Sequence, residues 1–245
     1  MIPKIIHYCW LSDNTVPHKL KKYMETWKKM LPDYQFMLWD TKCFDITSVS
    51  WVEQAFNAKM YAFAADFIRL YAVYHYGGIY LDMDVEVLRS FDDLLNRPYI
   101  MGQETFVGIE GGVFGAEKHS PIIAACMEHY VNRSFCLEND EMDKTPLPIV
   151  LMNTLNERYG TEVTETPDFS KNTIQLLPCE YLTAKYSDTG IVKTTNNTYS
   201  IHHFAGSWMK QDITSYWKHK MKIFFAHILG DNCAREISKK LFHNV

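Results

Sequence analysis

No two of the six cysteines stand in a C-x-x-C pair; Cys9, Cys43, Cys126, Cys136, Cys179 and Cys233 are scattered along the chain. That pattern argues against a structural zinc and fits reduced thiols in a cytosol. An excess of charge is lacking too: the formal net of −4 exerts no global pull on nucleic acid. No uninterrupted apolar run is long enough to span a bilayer. The first eight residues enter a strand-like run directly, without the basic and apolar regions of a signal peptide. Internal repeats, low-complexity segments and a linker able to cut the chain are also missing. These absences predict a soluble, cytoplasmic protein with one α/β domain over residues 1–210 and a helical extension over residues 211–245.

Aromatic side chains are plentiful instead. Fifteen Tyr, fourteen Phe and six Trp suffice for a large core and for platforms that stack on sugars or bases. Apolar patterning predicts a strand at 5–10, a basic amphipathic helix at 17–29 and a strand at 34–39. Helical spacing over 45–59 then leads into a long helix containing Asp66 and Arg69. This β-α-β-α order points to parallel strands in a nucleotide-binding α/β half. Further strands are expected at 85–88, 99–102, 113–116, 173–177 and 200–203, and helices at 121–132 and 147–159. Between them lie a glycine-rich connection at 104–112 and an acidic loop or lid at 135–145.

Residues 64–88, AADFIRLYAVYHYGGIYLDMDVEVL, organise the rest. Asp66 and Arg69 stand three apart and share a helix face. They form an ion pair there or reach a ligand together. Gly77-Gly78 ends the helix where a left-handed cap is expected. Ile79-Tyr80-Leu81 suits a buried strand. Asp82 and Asp84 follow at its C-terminal end, where open α/β sheets hold ligands. Strand alternation would point Tyr80, Asp82 and Asp84 the same way. Two carboxylates aimed at one spot call for a cation between them. Mn²⁺ or Mg²⁺ carrying a diphosphate answers that need with hard oxygen ligands.

A second stretch, residues 201–208 (IHHFAGSW), offers His202 or His203 as a metal ligand, with His202 preferred. Gly206 permits close backbone approach, Ser207 offers a hydroxyl, and Trp208 an indole N–H for a diphosphate oxygen. His7, inside the first strand, reads as a core histidine. Trp10, at the end of that strand, is placed to stack on a base or to fill the core.

The run A-x-x-x-D-x-x-R-x-x-x-V-Y-x-x-G-G-I-Y-L-D-x-D over residues 62–84 resembles the signature of glycosyltransferase family 32, the DXD sugar-transferase group. That group is similar in turn to the catalytic domain of the large clostridial glucosylating toxins. The opening IPKIIHYCW and the later H-x-x-x-G-S-W resemble the family as well. The resemblance implies a GT-A-like domain with a mixed, mainly parallel sheet, and a retaining hexosyl transfer from a nucleotide-sugar, with UDP favoured. It implies that Asp84 binds the metal directly, with Asp82 on the ribose or on the metal through water. His202 and Ser207 would lie on the metal and diphosphate side beside Trp208. Trp10 would cover the nucleobase, Asp66 and Arg69 would fix the donor sugar, and Gly78 and Tyr80 would lie near the nucleotide. The acceptor implied is a saccharide, lipid-linked in capsular or exopolysaccharide synthesis.

In the tail, the basic helical pattern from residue 216 to residue 244 either rests on an anionic membrane or packs with a solvated basic side. Two other readings compete with sugar transfer. A D-x-D phosphatase or phosphotransferase would use the same aspartates as nucleophile and acid, but its motif follows the first strand of its domain. A lectin-like or sugar-nucleotide-binding module needs no catalysis at all.

Overall fold

The structure is a computed structural model, and it describes residues 1–104, 108–138, 141–186 and 189–205. Its first half holds β1 (Ile5–Cys9), α1 (His18–Met30), β2 (Gln35–Trp39), α2 (Ser50–Asn57), α3 (Tyr61–Tyr76), β3 (Gly78–Leu81) and β4 (Val85–Val87). There follow β5 (Tyr99–Ile100), β6 (Gln103–Glu104), β7 (Gly108–Ile109), β8 (Val113–Ala116), α4 (Pro121–Val131) and α5 (Leu147–Tyr159). Last come β9 (Thr161–Val163), β10 (Ile174–Leu176), α6 (Cys179–Leu182) and β11 (Ser200–His202).

The central sheet has the order β2-β1-β3-β8-β5. β1 pairs in parallel with β2 and β3, whereas β8 runs antiparallel to both β3 and β5. Four of its five strands therefore point one way, the mixed and mainly parallel sheet expected of this α/β chain.

Strand alternation divides the core. Tyr80 packs with the cluster formed by α2, α3, α4 and α5. Ile79 and Leu81 face the opposite cluster, around Trp27 of α1 and Val85 of β4. Helix α3 is apolar nearly all round, as a helix enclosed on several sides must be. Residues 63–70 are buried without a break. Asp66 and Arg69 thus sit inside the protein, not on a solvated face.

Two local expectations change. Gly77 has positive φ, but its ψ of −176° is extended, so the helix ends by switching straight into β3 without a left-handed helical cap. Gly78 follows with φ of 104°, and a Cβ there would lie 2.6 Å from the Ile5 carbonyl oxygen. Glycine is needed for that close approach of β1 and β3.

The described ends of the glycine-rich connection also have structure: β6 and β7 pair antiparallel. Among the described residues, no helix is long and apolar enough to cross a membrane. The described cysteines are free. Ser207, Trp208 and the basic tail lie outside the described residues.

Candidate active site

Asp82 and Asp84 do not converge by strand alternation. β3 ends at Leu81, and the Val85 N–H donates to the Asp82 carbonyl at 3.0 Å, closing a turn over residues 82–85. The turn swings Asp84 round to the side where Asp82 already points. It is held from below by Trp27, whose buried indole donates to the Val85 carbonyl at 2.7 Å. The Asp82 N–H donates to the Gly112 carbonyl at 2.8 Å, extending the β3–β8 ladder by one bond.

Strand β11 brings the third group. It pairs antiparallel with β4, with His202 opposite Val85. One ligating atom each from Asp82, Asp84 and His202 then lie within 4.8 Å of one another. His202 Nε2 is 3.3 Å from Asp84 Oδ1 and 3.8 Å from Asp82 Oδ2. Two carboxylates and one imidazole form a donor set that fits Mn²⁺ or Mg²⁺. His203 turns the other way: it pairs with Glu86 at 2.8 Å and stacks on Tyr23, ring centroids 4.3 Å apart. His202 is the last residue of β11 and faces Asp84, whereas His203 follows the strand and faces Glu86, so His202 is the histidine brought to the two aspartates.

Each member of the cluster has a support. Asp84 Oδ2 accepts the Ala205 N–H at 2.5 Å, and the Asp84 carbonyl accepts the His203 N–H at 3.1 Å. Asp82 Oδ1 accepts the Tyr80 hydroxyl at 2.9 Å, and its Oδ2 accepts Arg69 Nη1 at 3.1 Å. Arg69 also donates to the Gly111 carbonyl at 2.8 Å and the Ala65 carbonyl at 3.3 Å, and pairs with Asp66 at 3.3 Å. Its guanidinium carbon stands 4.7 Å from the Tyr80 ring centre. The i, i+3 pair with Asp66 is thus one part of a larger buried network that fixes Asp82.

Burial shapes the charges. It pushes the Asp66 carboxyl up to about 7, against the pull of Arg69 and with a further push from Asp82. For Asp84, burial acts upward, but the His202 imidazolium and the Ala205 N–H outweigh it and hold the carboxyl well below the usual range. Burial alone would lower His202; the Glu110 and Asp84 carboxylates hold it well above the ordinary imidazole value instead.

Glu110 is the residue the sequence reading missed. It is 1% exposed and both of its oxygens are engaged. Oε1 accepts His202 Nδ1–H at 2.9 Å and the Gly112 N–H at 2.6 Å, while Oε2 accepts the Thr183 hydroxyl at 2.6 Å. The second glycine after it is equally specific. A Cβ on Gly112 would lie 2.6 Å from His202 Cε1 and 2.8 Å from Asp82 Oδ2. The local mark of Glu110 in the sequence, an acidic residue before Gly-Gly, does not tell it from an exposed acid in a glycine-rich loop.

The remaining predicted residues lie apart from this cluster. Parallel pairing of His7 with Tyr80 sets Trp10 level with the turn at 82–85, on the same sheet edge. Its indole donates to the Asn14 carbonyl at 2.8 Å, and the ring is partly buried. Gly78 lies at the other end of β3, packed on Ile5 and His7. His7 is a core histidine as expected: it accepts from the Trp39 indole at Nδ1 (3.1 Å) and donates from Nε2 to the Gly77 carbonyl (2.8 Å).

Residues 17–101 match the family model described as "Glycosyltransferase sugar-binding region containing DXD motif". The chain is 27% identical to inositol phosphoceramide mannosyltransferase 2 of Schizosaccharomyces pombe, over 86% of this chain and 59% of that protein. It is 34% identical to inositol phosphoceramide mannosyltransferase 3 of the same yeast, over 50% of this chain and 35% of that protein. The chain thus spans about 59% and 35% of the length of these relatives. Among solved structures it is similar to the PaToxG glycosyltransferase, with a TM-score of 0.49 and 19% identity over 64% of this chain and 69% of the other.

Proposed function

We propose that this protein is a metal-dependent glycosyltransferase with a GT-A-like domain, moving a hexose from a nucleotide-sugar to a hydroxyl acceptor. The observation that carries the reading is the convergence of Asp82, Asp84 and His202 at the C-terminal edge of a mainly parallel sheet. It coincides with a sequence match to the DXD sugar-binding region. Asp84 and His202 are the direct ligands in this reading, with Asp82 binding the cation directly or through water. A cation held there supplies positive charge to the diphosphate as it departs, where charge develops.

The chain's own residues do the positioning. Arg69 and Tyr80 hold Asp82 from two sides, so the carboxylate keeps its aim without solvent reorganisation. Both Asp82 oxygens are committed to these donors, which favours a binding role over that of a phosphatase nucleophile. Asp66 lines the α3 side, where its buried carboxyl can take a hydrogen bond from a sugar hydroxyl. Trp10 stands level with the D-x-D turn and supplies the stacking surface for the base.

The finer assignments are part of the same proposal. Retention of anomeric configuration and a UDP carrier follow from the resemblance to family 32. The names of the yeast relatives support mannose as the sugar and a phosphate-bearing lipid as the acceptor, in preference to a capsular saccharide. The test is hydrolysis of a panel of UDP- and GDP-hexoses with Mn²⁺ or Mg²⁺. Slow, metal-dependent release of one nucleoside diphosphate, lost in Asp84→Asn, is expected. Release of inorganic phosphate from a phosphomonoester, sensitive to Asp82→Asn, would replace the reading with a phosphatase.

A further inference from the structure

A histidine ligates a cation through one ring nitrogen, and the group on the other nitrogen decides which tautomer is present and where the ring points. In this chain the second nitrogen of His202 meets a carboxylate that has no direct access to the metal position. Glu110 Oε1 lies 2.9 Å from His202 Nδ1, while Nε2 faces Asp84 and Asp82.

Glu110 is itself held rigidly. The Thr183 hydroxyl fixes Oε2 and the Gly112 N–H fixes Oε1. The same loops serve the other ligands. The Thr183 carbonyl accepts the His202 N–H at 2.9 Å, the Gly112 carbonyl accepts the Asp82 N–H, and the Gly111 carbonyl accepts Arg69. A fully buried carboxylate is costly unless its charge is used. Two of Glu110's three donors are neutral, and a neutral acceptor would serve them.

Resting on the metal reading above, we propose that Glu110 is the positioning residue of the metal centre. It keeps the proton of His202 on Nδ1 and turns Nε2 toward the cation. Glu110 does not touch the metal, so its effect passes through His202 alone. It reaches the site from the β7–β8 connection. The Gly111 and Gly112 carbonyls hold Arg69 and Asp82 separately, through the backbone and not through the Glu110 side chain.

The test is Mn²⁺ binding to the full chain, followed by calorimetry and by the electron spin resonance of free Mn²⁺, without nucleotide. Glu110→Ala is expected to weaken Mn²⁺ binding about 10–100-fold. Glu110→Gln keeps an acceptor for Nδ1–H and is expected to recover most of that loss. In a His202→Ala background Glu110→Ala is expected to change nothing further, because the two act as one unit. A merely structural Glu110 would give equal losses in both backgrounds, and that result overturns the proposal.

Should Glu110→Ala fail to fold, the cycle is run with Glu110→Leu, which fills the same space without an acceptor, and the wild type decides the tautomer. With Cd²⁺ as a diamagnetic probe, ¹H–¹⁵N correlation spectra are expected to show His202 protonated at Nδ1 and metallated at Nε2. The reverse assignment overturns the proposal. Wild-type Mn²⁺ binding that survives both Glu110 variants unchanged defeats the positioning role alone. A wild type that binds neither Mn²⁺ nor Cd²⁺ defeats the metal reading itself.

Discussion

The Arg69 guanidinium meets the Asp82 carboxylate at 3.1 Å, across 13 residues of sequence that include the whole of β3. The pair joins the middle of the buried helix α3 to the head of the D-x-D turn. Arg69 neutralises Asp66 as well, at 3.3 Å. Its removal leaves the part-buried Asp82 carboxylate without its nearest cation and the buried Asp66 carboxyl without the charge that favours its ionised form. Arg69→Ala is expected to cost about 3–5 kcal/mol. Arg69→Lys is expected to fall between, since an ammonium cannot reproduce the planar fork. Urea denaturation of both variants checks this; losses under about 1 kcal/mol, the range of exposed ion pairs, would contradict it.

Asp66 gives a pH signature. Its carboxyl is raised to about 7 by burial, so the folded chain keeps a proton that the unfolded chain releases above about pH 4. Between those values the folded state binds more protons, and this group's contribution to stability falls as pH rises. Asp66→Asn removes that slope. The stability of the variant relative to wild type is expected to climb from about pH 4 to about pH 7 and then level off. A difference that stays flat across the window would show that Asp66 is ionised throughout.

Gly78 separates packing from binding. With φ of 104° and the Ile5 carbonyl 2.6 Å from the position of a Cβ, Gly78→Ala strains the β1–β3 contact. A loss of about 1–3 kcal/mol is expected. Nucleotide affinity per folded molecule is expected to stay within about twofold of wild type, a difference under about half a kcal/mol. A selective loss of nucleotide binding at unchanged stability would place Gly78 in the substrate site.

Gly112 behaves in the opposite way. A methyl group there lies within 2.9 Å of both His202 and Asp82 side-chain atoms. Overpacking of this kind costs about 1–3 kcal/mol, and here it displaces two of the proposed metal ligands directly. Gly112→Ala is expected to abolish measurable Mn²⁺ binding while the melting transition remains cooperative. Retained Mn²⁺ affinity would mean that the ligands lie elsewhere.

Much of this was legible in the sequence because local pattern and global fold agree. The alternation of strands and helices before Leu81, the Gly-Gly junction and the paired aspartates each declare themselves within a few residues. His202 was legible as one of two candidates, and the pairing of β11 with β4 is what brings it, rather than His203, beside the aspartates. The convergence of Asp82 and Asp84 was anticipated for the wrong local reason, because a turn brings them together after the strand has ended. Glu110 was not legible. It lies 92 residues from the histidine it serves, and nothing local distinguishes it from an exposed acid in a glycine-rich loop. Arg69 was legible as important, but its role in holding Asp82 depends on the carbonyl of Gly111, 42 residues away.

The most direct test of the account is calorimetric titration of the protein with UDP and with GDP, each with and without Mn²⁺, for wild type and Asp84→Asn. The account predicts that one of the two nucleotides binds only when Mn²⁺ is present, and that Asp84→Asn abolishes this binding while the protein stays folded. Nucleotide binding that is indifferent to Mn²⁺ and to Asp84→Asn, or no binding of either nucleotide, would contradict it.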